Sequence, residues 1–160
     1  MTKLGFTVAI LATVFGLPAE GQTVSFRVLD QVGAQTVLRA AEQSARQRNA
    51  PSAIAVVDPA GDLLAFERMD GVRPASVGLA IQKARTAARL QRPTAEIEDN
   101  INQGRMAFVT AKIMALRGGM PVRLNGQVVG AVGIAGLSKE TDTEVARMAA
   151  AALTPSGRVE

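Results

Sequence analysis

The sequence predicts an α+β domain: one antiparallel sheet of about five strands with helices covering it. Three observations lead there. Asn125-Gly126 lies between two strand-like runs, residues 121–124 and 127–129, and an Asn-Gly pair supplies the two positive φ values of a type I′ hairpin turn. The apolar runs 53–57 and 63–69 are separated only by Asp58-Pro59-Ala60-Gly61-Asp62, which is turn chemistry and makes a second hairpin. The helical patterns around these hairpins give the order α-ββ-α-α-β-ββ-α, without the βαβ alternation of a parallel sheet.

Taken in order, Val32, Val37, Ala40, Ala41 and Ala45 recur at helical spacing between residues 29 and 49, and Asn49-Ala50-Pro51 ends that helix. After the first hairpin, Asp70-Gly71 turns the chain and Pro74 opens a helix that runs to about Leu90. Its apolar face carries Val77, Ala80, Ile81, Ala84 and Ala88. Pro93-Thr94 starts a shorter helix with Ile97 and Ile101 four apart. Residues 103–118 are apolar but aperiodic and read as loop with one short strand. The Asn-Gly hairpin follows, and its second strand combines β-branched Val128, Val129, Val132 and Ile134 with Gly130, Gly133 and Gly136. Such glycines mark either close approach of a helix or a ligand pocket. Ser138 caps an Ala-rich closing helix that carries Val145 to Leu153.

The 160 residues allow one domain with a sizeable core, and 48% hydrophobic content excludes a disordered chain. Aromatic residues make up 3%, all Phe, so stacking platforms for single-stranded nucleic acid are nearly absent. The net charge of +4 is spread over dispersed Arg and Lys, which argues against nucleic acid and for anionic small molecules or anionic surfaces; the expected partner is a small anionic or partly apolar ligand.

Residues 1–21 read as a signal peptide. Lys3 is a short positive region, residues 4–17 are apolar and uncharged, Pro18 breaks the run, and Ala19 and Gly21 precede a cut before Gln22. The apolar run is shorter than the ~20 residues of a membrane span, so the expectation is a periplasmic or secreted chain with a single domain over residues 22–160. The chain contains no cysteine, so no disulfide helps stability there.

The absences narrow the chemistry. With no His, Cys or Tyr there is no Ser-His-Asp or Cys-His unit, no ordinary zinc or copper site, and no imidazole, thiolate or phenolate for haem iron. No metal site is expected; Glu96, Glu98 and Asp99 read as solvated helix surface. Lys83, flanked by small residues in mid-helix, is either a surface lysine or an ammonium pointing into a cleft. In a cleft it could hold a carboxylate or act as a base. Asp58 reads as a turn cap. Met106, Met114 and Met120 read as packing, with the thioether the best conventional iron ligand left.

Several motifs, in order, resemble one family. They are Ala55-Val56-Val57-Asp58-Pro59-Ala60-Gly61, Phe66-Glu67-Arg68-Met69-Asp70-Gly71, Lys83-Ala84-Arg85-Thr86-Ala87 and Gly118-Gly119-Met120-Pro121. The stretch from Asn125-Gly126 to Gly133 and Asp142-Glu144-Val145-Ala146 continue the match. Over residues 32–153 the chain resembles the GlcG/HbpS haem-binding family, which is related to the C-terminal part of PduO-type cobalamin adenosyltransferases. The resemblance implies a profilin-like fold, dimers or larger homo-oligomers, and a pocket at Lys83, Arg85, Thr86, Gly118, Gly119, Met120 and Pro121. Haem is the implied cofactor, although the histidine that haem-binding relatives supply is missing here.

Three functions follow as expectations. The first is an exported binding protein for haem or another anionic cofactor, with Lys83 and Arg85 pairing to carboxylates and Met106, Met114 or Met120 facing the ligand. The second is a metal-independent isomerase or lyase for a small oxo- or hydroxy-acid, with Lys83 as base and the Gly118 and Gly119 amides as oxyanion donors. The third is an oligomeric accessory subunit.

Overall fold

The computed structural model describes Gly21 and residues 25–153; most of the signal segment read above therefore lies outside the described residues. Helix α1 (Gln31–Gln47) is capped by Asp30, whose carboxylate accepts the Gly33 N–H, and its stripe of Ala34, Val37, Leu38, Ala41 and Ala45 is buried. Strands β1 (Ala53–Val57) and β2 (Leu63–Arg68) form the first hairpin, followed by α2 (Ala75–Leu90) and α3 (Thr94–Asn102). Strands β3 (Gly119–Leu124) and β4 (Gln127–Ala135) form the second hairpin, and α4 (Lys139–Ala150) closes the domain behind its Ser138 cap.

The sheet has four strands in the order β2-β1-β4-β3, all antiparallel. The short strand expected within 103–118 is instead a 3₁₀ helix, Met106–Ala111, which buries none of its residues. Its apolar side chains have no partner strand to pair with, and Met106 and Val109 stand exposed. That accounts for four strands where about five were expected.

Helix α2 lies across β1, β4 and β3, while α1 and α4 pack on each other and against the strands from the other face. Strand β1 is therefore buried along its whole length, and β2 at the edge buries only Ala65. Asn125 and Gly126 take φ of 50° and 80°, the left-handed pair that the Asn-Gly turn demands. The glycines of β4 resolve as close packing. A side chain at Gly133 would fall on the Ala80 carbonyl and the Ala84 amide of α2, and one at Gly130 would strike Leu29 and the Val57 carbonyl. Gly136, the third glycine of the run, lies just past β4 and instead borders two hollows beside the start of α4.

Candidate functional site

The residues singled out by sequence separate into three places. Lys83 occupies the buried stripe of α2 with Ser76, Ala80, Ala84 and Ala87, and is 4% exposed. Its ammonium donates to Asp142 Oδ2 and to the Ile134 carbonyl, both at 2.7 Å. Asp142 Oδ1 in turn accepts the Gly136 N–H at 2.8 Å. Burial pushes the Asp142 carboxyl above its ordinary value, and the Lys83 pair and the Gly136 N–H pull it only part of the way back.

Gly118 and Gly119 belong to this cluster through packing. A Cβ on Gly118 would stand 3.0 Å from Lys83 Nζ and 2.9 Å from Asp142 Cβ, so the missing side chain is the passage through which lysine reaches aspartate. Gly118 also has φ of +111°, a conformation that favours glycine. A side chain on Gly119 would collide with the Lys83 carbonyl, and the Gly119 N–H donates to Thr94 Oγ1 at 2.8 Å. That amide is thus engaged inside the fold.

Arg85 points elsewhere. Its Nε donates to the Gly61 carbonyl, and Arg89 holds the Ala60 carbonyl, so both brace the β1–β2 turn. Asp58 caps the same turn, accepting the N–H groups of Gly61 and Asp62. Thr86 is buried and accepts the Met114 N–H at 3.0 Å, which anchors the segment before β3. Glu98 and Asp99 both bind Arg117, with Glu98 the stronger cause of that guanidinium's raised pKa. Among the described residues no group of three or more acidic side chains is arranged to hold a metal.

Met120 and Pro121 form the third place. They line a cleft of about 680 Å³ along the outer side of β3, together with Arg92, Glu96, Arg123 and Arg147. Arg123 is oriented by its bonds to the carbonyls of Gly126 and Gln91, and Arg147 by Glu144. With Arg147 paired to Glu144, Arg92 and Arg123 stand against the Glu96 carboxylate in the lining, a small positive surplus that favours an anion, while Met120, Pro121, Ala150 and Ala151 provide apolar wall.

Sequence reasoning gave the cleft only Met120 and Pro121, because its arginines are contributed by α4, β3 and the α2–α3 joint. It also left Asp142 out of the site, although a signal was present. Asp142, Val145, Ala146 and Ala149 share one buried stripe, so a carboxylate stands where α4 needs an apolar residue, as Lys83 does on α2.

An antiparallel sheet with helices on its faces, an internal lysine–aspartate pair and an arginine-lined cleft at one edge define the class of domain. The chain belongs to the HbpS-like family, described as haem degrading protein HbpS-like, whose profile matches residues 29–151. It is 43% identical over 108 residues to protein GlcG of Escherichia coli K12, covering 67% of this chain and 81% of GlcG. Its structure is similar to an HbpS double mutant of Streptomyces reticuli, with a TM-score of 0.76 and 31% identity, covering 89% of this chain and 99% of that one. It is also similar to a PduOC:heme complex, with a TM-score of 0.70 and 29% identity, covering 79% of this chain and 95% of that one.

Haem, which the family implies, can be tested against these side chains. The cleft offers guanidinium groups for propionates and one thioether, Met120, partly buried beside them. The chain offers no imidazole, thiolate or phenolate. The donor set fits a haem held through its propionates, apolar contact and a thioether.

Proposed function

We propose that this protein binds haem, or another anionic ligand with an apolar face, in the cleft beside β3. The observation that carries the reading is that Arg92, Arg123, Arg147 and Met120 together line one cleft of about 680 Å³. That volume falls within the ~300–1,000 Å³ of small-molecule sites. Membership of the HbpS-like family and similarity to a PduOC:heme complex support it. The arginines would take the ligand's carboxylates, Met120 would face its centre, and bound haem would supply iron chemistry. Of the residues singled out by sequence, Met120 and Pro121 are the ones this reading keeps in contact with ligand. Lys83, Arg85, Thr86, Gly118 and Gly119 would shape the frame behind them.

Export to the periplasm or medium and assembly into a homo-oligomer belong to the same proposal. Residues 1–21 support the first. Exposed Phe26 and Val28 before α1 and Val32 in its first turn support the second. Among the described residues no helix is long and apolar enough to cross a membrane.

The test is a haemin titration of the chain from Gln22 onward, followed by its Soret band, with particle size measured by light scattering. A saturable shift is expected. Arg92→Ala combined with Arg147→Ala should weaken it about tenfold or more, the scale of lost charge-assisted hydrogen bonds, and Met120→Ala should move the band position. A shift no larger than that of an unrelated basic protein, or one indifferent to all three changes, would overturn the proposal.

A further inference from the structure

The region around Lys83 contains a second recess that the cleft beside β3 does not use. Two hollows, about 210 and 330 Å³, share Arg73, Ser76, Gly136 and Leu137, making one groove between the start of α2 and the β4–α4 connection. Ser76 is 3% exposed, lines both hollows, and its hydroxyl has no side-chain hydrogen-bond partner among the described residues. No fully buried side-chain polar atom among those residues lacks a partner, so this hydroxyl opens into the groove.

Lys83 borders the smaller hollow, and an ammonium has three donors, of which Asp142 and Ile134 take two. Arg73 stands exposed at the mouth. Ser138 and Lys139 bring the N-terminal end of α4 to the same wall, where Ser138 Oγ caps the Thr141 N–H. The carboxylates in the lining are already engaged: Asp142 by Lys83 and Gly136, Glu98 by Arg117. Lys83, Arg117 and Lys139 are likewise paired, with Asp142, with Glu98 and Asp99, and with Glu140, so Arg73 is the cation of the lining without an ion-pair partner among the described residues, and Leu79, Leu116 and Leu137 give the groove an apolar side.

We propose that this groove binds a short-chain monocarboxylate. Its carboxylate would meet the Ser76 hydroxyl, the third Lys83 proton and Arg73, and its alkyl part would lie against Leu79 and Leu137. A single negative charge suits the lining better than a dianion, because Asp142 sits at the floor. The inference is independent of haem binding in the other cleft.

Amide proton–nitrogen spectra of the full domain, titrated separately with acetate, butyrate and inorganic phosphate, test it. Butyrate should shift the amides of Gly136, Leu137 and Ser138 saturably and at lower concentration than acetate. Ser76→Ala should weaken butyrate about tenfold, the worth of one hydrogen bond to a charged group, and Arg73→Ala by a similar factor. Alanine is a better helix former than serine, so Ser76→Ala should remain folded, and a dispersed spectrum checks this. No saturable shift, phosphate binding more tightly than butyrate, or butyrate affinity unchanged in Ser76→Ala would each overturn the proposal.

Discussion

The two basic clusters of this domain treat charge in opposite ways. Beside β3 the guanidinium groups of Arg92, Arg123 and Arg147 are exposed, so water solvates them and a ligand can replace that water. Around Lys83 the ammonium and its Asp142 partner are 5% and 7% exposed, and each is tied further into backbone groups of the β4 end. A charge removed from water must be paired and hydrogen-bonded to be tolerated. The open cluster can therefore change without harm to the fold, whereas the closed one is part of it.

The strongest way to break that contrast is Lys83→Ala. It should leave Asp142 buried without its cation and lower stability by about 3–5 kcal/mol, read by urea denaturation. Lys83→Met combined with Asp142→Leu should recover most of the loss, because an apolar pair replaces both charges. If Lys83→Ala unfolds at the wild-type urea concentration, the lysine is not a structural charge. The cleft change Arg92→Ala, by contrast, should leave the urea midpoint close to wild type.

A smaller effect tests the packing that holds the closed cluster in place. Gly133→Ala would set a methyl group against the Ala80 carbonyl and the Ala84 amide, so a loss of about 1–3 kcal/mol is expected from overpacking. Gly78→Ala, on the open side of the same helix with nothing near its Cβ, should instead stabilise by about 0.5–1 kcal/mol. Equal effects would mean that α2 does not lie as close to β4 as described.

The smallest expected effect sharpens the comparison through pH. The Asp142 carboxyl is raised by burial in the folded state, so the fold holds its proton more firmly than the unfolded chain does. The stability it contributes is fully present below the unfolded aspartate value and is lost as pH rises through the raised folded value. Urea midpoints measured across that acidic range should show this slope in wild type and not in Asp142→Asn; identical slopes would show that Asp142 titrates normally.

Much of this architecture could be read from local chemistry. The Asn125-Gly126 turn, the caps at Ser138 and Asp58, and the helical stripes of α1, α2 and α4 each rest on residues close in sequence, where spacing decides structure. The family was readable too, because its motifs recur in order. The 3₁₀ helix was not: its Phe108, Val109 and Thr110 have strand-like composition, and only the lack of a neighbouring strand decides against one. The clefts were hidden for a related reason. Lys83 meets Asp142, and Arg92 comes near Arg147, only after β4 has carried the chain across the sheet, and no spacing along the sequence announces either meeting.

The strand order also bears on how the chain must fold. Strand β1, Ala-Ile-Ala-Val-Val, lies at the centre of the sheet, and its second neighbour is β4, the last strand to be synthesised. Until β4 arrives, one side of β1 has open backbone groups on a run of apolar side chains, the kind of segment that pairs with other chains. Closing the Ala53–Ala135 end of that ladder requires a loop spanning most of the domain, which slows folding relative to local hairpin formation. A newly made chain thus passes through a stage in which its most aggregation-prone strand waits for its partner, and protection during that interval falls to α1, β2 and α2.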